Sequence, residues 1–288
     1  MIISNSLITM SISKYPVIRQ RKEYILVAGL AFADALAGFC FMTAGLYRGY
    51  MIAINSEETL TSWECMFKPS NVLFVFVLPT GAFMLVSISV DRLLAVAVPL
   101  SYWGWTMCYA KIMLACVYLL GAFNGVLMLF FSYLEPRSVR YPAYCFSTWA
   151  LGNKAMIVYF YYIRAISGIA SVVCYALVPI IYSRSFGKIA PSVAYNEAAL
   201  NKEKRFQRDM MVTLGLSACC TLVFYVGSNF LKSFFYTAPW FSHFGPYLGV
   251  MQNMNPIMNV FLLAFRHADL KTAMNGVVCF KTTIVLDM

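Results

Sequence analysis

Six stretches of the chain read as long, near-continuous apolar runs: residues 24–47, 71–98, 112–134, 159–183, 210–231 and 244–265. An α-helix needs about 20 mostly apolar residues to cross the hydrocarbon of a bilayer. Each run therefore predicts a membrane-crossing helix. The runs are unbroken rather than alternating over about ten residues, which speaks against a transmembrane β-barrel. Residues 1–12 form a shorter apolar piece that is too short to cross alone. No basic segment precedes it and no small-residue cleavage site follows it, so it does not read as a signal peptide. The loops between runs are short, which predicts antiparallel neighbours in one bundle. No linker, repeat or low-complexity tract marks a second domain, so residues 1–288 read as one unit.

Composition agrees with this pattern. Hydrophobic residues make up 61% of the chain and charged residues only 12%, about half the usual charged share of a soluble domain. So little charge cannot cover a soluble globule of this size, and so much apolar surface excludes disorder. The net charge of +10 is sorted rather than spread. Segments 14–23, 91–111, 184–209 and 266–288 hold 15 of the 22 lysines and arginines, while the opposite loops carry Glu57, Glu58, Glu64 and Glu135. The positive-inside rule puts those four segments in the cytoplasm, the C-terminal tail 266–288 included. The basic balance is thus a topology signal, and nucleic-acid binding is a poor explanation for it. This sidedness also makes residues 1–12 the cytoplasmic end of a further helix, seven in all. As written, that first helix lacks its outer half. Either the chain begins late, or a stubby first span is tolerated by tilting or bilayer thinning.

The nine cysteines divide by sidedness. Cys40, Cys116, Cys174, Cys219 and Cys220 fall within runs, and Cys108 and Cys279 fall on the cytoplasmic side. Only Cys65 and Cys145 face outside, where a lone pair is most simply one disulfide. No N-x-[ST] sequon occurs.

Polar residues inside the runs carry the candidate chemistry. Asp34 sits mid-run in LAFADALAG, and a carboxylate at the bilayer centre costs about 2.5–3.5 kcal/mol on insertion scales. It needs polar company, for which Asn5 and Asn255 are the candidates. The alternative is a knot that only fixes packing. Pro256 lacks a backbone N–H and is expected to kink the last helix beside that contact. At the inner end of the third helix stands SVDRLLAVAVPL. Asp91 and Arg92, being adjacent, are expected to point in different directions, Arg92 toward a neighbouring helix or docking partner. The alternative is an interfacial snorkelling pair.

These motifs resemble those of rhodopsin-like G-protein-coupled receptors. DRLLAVAVPL resembles the family's DRY-x-x-x-x-x-P-L region, LAFAD its second-helix LAxxD, Asn255–Pro256 the start of NPxxY, and Asn5 in SNSLI the first-helix GN. Phe265, six residues after Asn259, matches the aromatic that opens the interfacial eighth helix. KEYILVAGLAFADALAG together with DRLLAVAVPL is most similar to nematode serpentine chemoreceptors of class sx. There are departures. Leu93 replaces the aromatic of DRY, and Asn259 replaces the tyrosine of NPxxY. The sixth run has no C-W-x-P, and Gly81 lies where many relatives place a sodium-coordinating serine. The resemblance implies an all-α seven-transmembrane bundle with a short interfacial C-terminal helix. It implies a multi-pass plasma-membrane receptor for a small-molecule or peptide ligand, coupled to a heterotrimeric G protein and needing no cofactor. Asp91 and Arg92 would serve coupling, with Asp209 a possible partner of Arg92. The basic stretch 202–208 would serve docking or lipid anchoring. Asn5, Asp34, Asn255, Pro256 and Asn259 would form the switch network.

For the ligand, the outer helix halves offer Tyr47, Phe76, Thr80, Phe83, Tyr162, Phe224, Tyr225, Asn229 and Tyr247. An aromatic wall with few polar groups suits a small, mostly apolar ligand. Arg164 is the one cationic candidate, with snorkelling to the surface as its alternative. No aspartate in the outer third helix would hold an amine. A secondary transporter is the other reading, but inverted repeats with broken helices are missing. An enzyme finds no support either. His243 and His267 are the only histidines and lie on opposite faces, and no H-E-x-x-H, G-x-S-x-G or P-loop motif occurs.

Overall fold

A computed structural model of the chain describes residues 1–189, 212, 215–235, 238, 241–266 and 268–278. It is an all-α membrane bundle. Helix α1 (Ile2–Lys14) and the short α2 (Pro16–Arg19) lead into α3 (Lys22–Ala53). A two-residue strand β1 (Thr59–Leu60) and α4 (Ser62–Met66) precede α5 (Asn71–Ala97), α6 (Pro99–Gly104) and α7 (Met107–Leu134). Strand β2 (Tyr141–Pro142) and α8 (Ser147–Leu151) then lead to α9 (Lys154–Ile189). Beyond it come a π-helical turn (Thr221–Val226), α10 (Gly227–Phe235), α11 (Phe241–Arg266) and α12 (Ala268–Val278). Among the described residues, five helical stretches are long and apolar enough to cross a membrane: Lys22–Ala53, Asn71–Ala97, Met107–Leu134, Lys154–Tyr182 and Gly215–Phe235. Several helices run a turn or more beyond the apolar runs, because polar interfacial residues continue a helix without contributing to the hydrophobic signal.

Small residues set the closest helix crossings. A side chain at Gly121 or Gly125 of α7 would collide with Thr80 or Phe76 of α5, and one at Gly29 of α3 with Leu114 of α7. In lipid no hydrophobic force draws helices together, so such close backbone approach supplies the van der Waals contact that does. Tyr118 Oη adds a hydrogen bond to the Gly29 carbonyl at 2.9 Å. At one end of the bundle, α1 and α12 pack on α3 and α11 through Ile8, Ile12, Ala31, Val260, Leu270 and Ala273.

The other end is closed by a disulfide. Cys65 and Cys145 are bonded, with Cα atoms 5.6 Å apart. Beside them β1 and β2 pair antiparallel, Thr59 opposite Pro142 and Leu60 opposite Tyr141. Thr61 and Glu64 cap α4 reciprocally, with Thr61 N donating to Glu64 Oε2 at 2.8 Å. These hydrogen bonds hold the Glu64 carboxyl below its ordinary range. Tyr47 and Arg48, at the end of α3, tie down the disulfide loop by donating to the carbonyls of Ala143 (2.9 Å) and Cys145 (3.2 Å).

Candidate functional site

Asp91 and Arg92 lie on α5 about 30 Å from its disulfide end, at 1.5 Å per residue. The two side chains do not point apart, as adjacency in a helix led us to expect. Arg92 folds its long stem back, and its Nη2 donates to Asp91 Oδ2 at 2.6 Å. Both are sheltered, with side chains 11% and 1% exposed, so the snorkelling alternative fails with it. The short α6, whose first turn suits the fixed φ of Pro99, carries Tyr102 into the same cluster. The Tyr102 phenol donates to Asp91 Oδ1 at 3.1 Å. Lys22 lies 3.6 Å from the Tyr102 ring centroid and donates to the carbonyls of Tyr102 and Trp105 at the end of α6. Burial pushes the Tyr102 hydroxyl above the ordinary phenol range. Arg92 pulls it back, Asp91 and Glu23 push it up again, and the group remains a proton donor. Asp209 and the 202–208 stretch lie outside the described residues.

Asp34 faces the bundle interior. With Gly81, Tyr225, Gln252 and Pro256 among the walls, it lines a cavity of about 30 Å³, room for one or two waters. Among the described residues no direct hydrogen bond joins Asp34 to Asn5 or Asn255. Asn5 Nδ2 donates to the Met1 carbonyl at 3.0 Å. Asn255 Oδ1 accepts from Thr221 Oγ1 at 3.2 Å. The reason is local competition: each carboxamide finds a partner on its own or the adjacent helix before it reaches α3. One turn along α11, Asn259 Oδ1 accepts from Ser217 Oγ at 2.8 Å. Asn255 with Thr221 and Asn259 with Ser217 thus form a two-rung ladder joining α11 to the span before it. The upper rung sits where that span widens into the π-helical turn.

Of the outer candidates, Arg164 and Tyr225 meet, and Asn229 lies buried one turn from Tyr225 on the same helix. Arg164 is 2% exposed and stands over the rings of Phe160 (5.2 Å) and Tyr225 (5.7 Å), so it does not snorkel. Asn229 is fully buried and donates to the Tyr225 carbonyl at 2.7 Å. Lys232, 8% exposed, donates to Gln252 Oε1 at 3.1 Å. Tyr47 belongs to the disulfide loop anchor instead of a pocket. Phe76 and Thr80 pack on Gly125 and Gly121, and Phe83 packs on the Met84–Val117 cluster with α7. Tyr162 and Tyr247 face outward, 39% and 69% exposed. Phe224 is half-buried. Helix rotation explains these placements, because the spans carry aromatics on more than one face and packing decides which face turns in.

Sequence reading missed Lys232, Gln252, Tyr102, Ser217 and Thr221. A lysine closing an apolar run reads as a span end. Yet Tyr225, Asn229 and Lys232 stand at i, i+4 and i+7, one helical face, and that spacing was available. Among the described residues no cluster of His, Cys, Asp and Glu is arranged to hold a metal ion.

The profile of the seven-transmembrane receptor family, rhodopsin family, matches residues 4–262. No curated protein matches the chain significantly.

Proposed function

The chain belongs to the rhodopsin family of seven-transmembrane receptors, and on that premise we propose that it is a chemosensory receptor of the plasma membrane. It binds a small external ligand at the disulfide end and activates a heterotrimeric G protein at the other, with the C-terminus in the cytoplasm. The observation that carries this reading is the sheltered Asp91–Arg92–Tyr102 cluster at the far end of α5. A permanently charged, five-donor guanidinium is held there by Asp91, whose carboxylate is fixed in turn by Tyr102 of α6, a contact that can loosen when helices shift. A ligand drives such a shift only through its different affinity for the two arrangements. The chemosensory part of the reading rests on the resemblance of KEYILVAGLAFADALAG and DRLLAVAVPL to nematode serpentine receptors of class sx.

The test uses purified receptor reconstituted with G protein, read by guanine-nucleotide exchange. Arg92→Ala is expected to reach the surface, to melt below wild type because the buried Asp91 loses its charged partner, and to abolish exchange at matched protein level. Arg92→Lys is expected to restore part of it, since a point-charge ammonium lacks the planar fork. Normal exchange by Arg92→Ala at matched protein level would overturn the assignment.

A further inference from the structure

Two cations are buried on facing helices near the disulfide end of the bundle, and among the described residues neither makes an ion pair with an acid. Arg164 is among the largest fully buried side chains, and its Nε and Nη2 have no hydrogen-bond partner. The hydrogen-bond acceptor of Lys232 is the neutral amide of Gln252. Lys232 stands two turns beyond Tyr225 on the same helical face, the face whose Tyr225 ring Arg164 stands over. Tyr225, whose ring lies beneath the guanidinium, is buried as well, and among the described residues its hydroxyl has no partner besides Arg164.

The sequence cannot supply the missing charge from nearby. No Asp or Glu occurs between residues 107 and 134, between 136 and 189, or between 215 and 266, the ranges that cover α7, α9, the sixth span and α11. The remaining intramembrane acid near this level is Asp34, and it makes no ion pair with either cation. The aromatic faces of Phe160 and Tyr225 compensate only partly. A cation–π contact is worth about 0.5–2 kcal/mol, whereas each buried unsatisfied donor costs about 1–3 kcal/mol and more when charged. Such an arrangement persists where a partner arrives from outside the chain.

We infer that Arg164 and Lys232, with the Tyr225 hydroxyl, form the binding site for the carboxylate of a small organic acid. The guanidinium presents a planar fork that matches a carboxylate bidentately, and the ammonium supplies a second charge. The apolar body of the acid would lie against the Phe160 and Tyr225 rings. This rests on the receptor reading and names its ligand class.

The experiment is thermal denaturation of the purified full-length receptor with octanoate, phenylacetate and benzoate, each beside its primary amide and amine. No G protein is present, so the measurement separates binding from coupling. The carboxylates are expected to raise the melting temperature in a saturable way, and the amides and amines are not. Arg164→Gln and Lys232→Gln are each expected to weaken the carboxylate response at least tenfold. Without ligand both variants are expected to melt at or above the wild-type temperature, since each removes a buried cation that has no ion-pair partner among the described residues; a purely structural arginine would instead leave the variant less stable. If Arg164→Gln does not fold, that loss itself counts against a ligand role, and Lys232→Gln repeats the test independently. Amides protecting as well as acids, or no protection by any of the three acids, would overturn the inference. Acid-dependent protection in a receptor that never drives nucleotide exchange would sustain it and count against the coupling assignment instead.

Discussion

Tyr102 and Asp91 meet across the junction of α5 and α6, the phenol donating to the carboxylate at 3.1 Å. One short helix is thereby fastened to the base of one long one, and Arg92 is held against the same carboxylate. Tyr102→Phe removes only the hydroxyl. A hydrogen bond to a charged group is worth about 1.5–3 kcal/mol, so the variant is expected to melt lower. With Asp91 no longer fixed from α6, its hold on Arg92 is expected to loosen and basal nucleotide exchange to rise. Unchanged melting and unchanged basal exchange would remove Tyr102 from the cluster's energetics.

Asp34 lines its cavity without a hydrogen bond from the described residues. Asp34→Asn keeps the shape and removes the charge. The variant is expected to fold, to lose no thermal stability, and to change basal exchange through the contacts of the cavity wall that α11 supplies. A clear loss of melting temperature with unaltered signalling would instead mark Asp34 as a packing knot.

The ladder between α11 and the preceding span offers a paired test. Intramembrane hydrogen bonds average about 0.6 kcal/mol each, so Thr221→Val or Ser217→Ala alone is expected to be mild. The double variant releases both rungs and is expected to shift the resting balance toward the active arrangement, read as ligand-free exchange. Additive loss of stability with no change in exchange would confine the ladder to structural duty.

The disulfide closes a chain separation of 80 residues. Removing a native disulfide typically costs about 2–5 kcal/mol. Cys65→Ala with Cys145→Ala is therefore expected to lower the melting temperature by several degrees and to bring the wild type under reducing conditions to the same value. Equal melting of reduced and oxidised receptor would show that Tyr47 and Arg48 hold the loop unaided.

Glycine positions at the α5–α7 crossing give a stability control away from the proposed sites. Gly125→Val drives a side chain into Phe76. Overpacking of this kind costs about 1–3 kcal/mol, and the expected result is poorer thermal stability with the response to ligand retained in whatever protein folds.

Much of this architecture is decided within short windows of sequence. Whether about 20 residues prefer lipid is a sum of transfer energies over those residues, so the long apolar runs, their order and the all-α class follow without knowledge of neighbours. The disulfide follows as simply, because charge sorting leaves Cys65 and Cys145 alone on one side. Rotation of each helix about its axis is another matter. Phe76 and Tyr162 carry the same local signal as Tyr225, yet one seats on Gly125, one faces outward and one faces in, since that choice depends on which helix offers a gap. Long cationic side chains are ambiguous for the same reason. An arginine ten residues into a span can reach the surface or the interior, and the rings of Phe160 and Tyr225 decide for Arg164. Partner choice among polar groups is likewise a contest settled in three dimensions. Asn255 takes Thr221 over Asp34, and Asp91 takes Tyr102 from the following helix, because those donors are already fixed within reach once the helices pack.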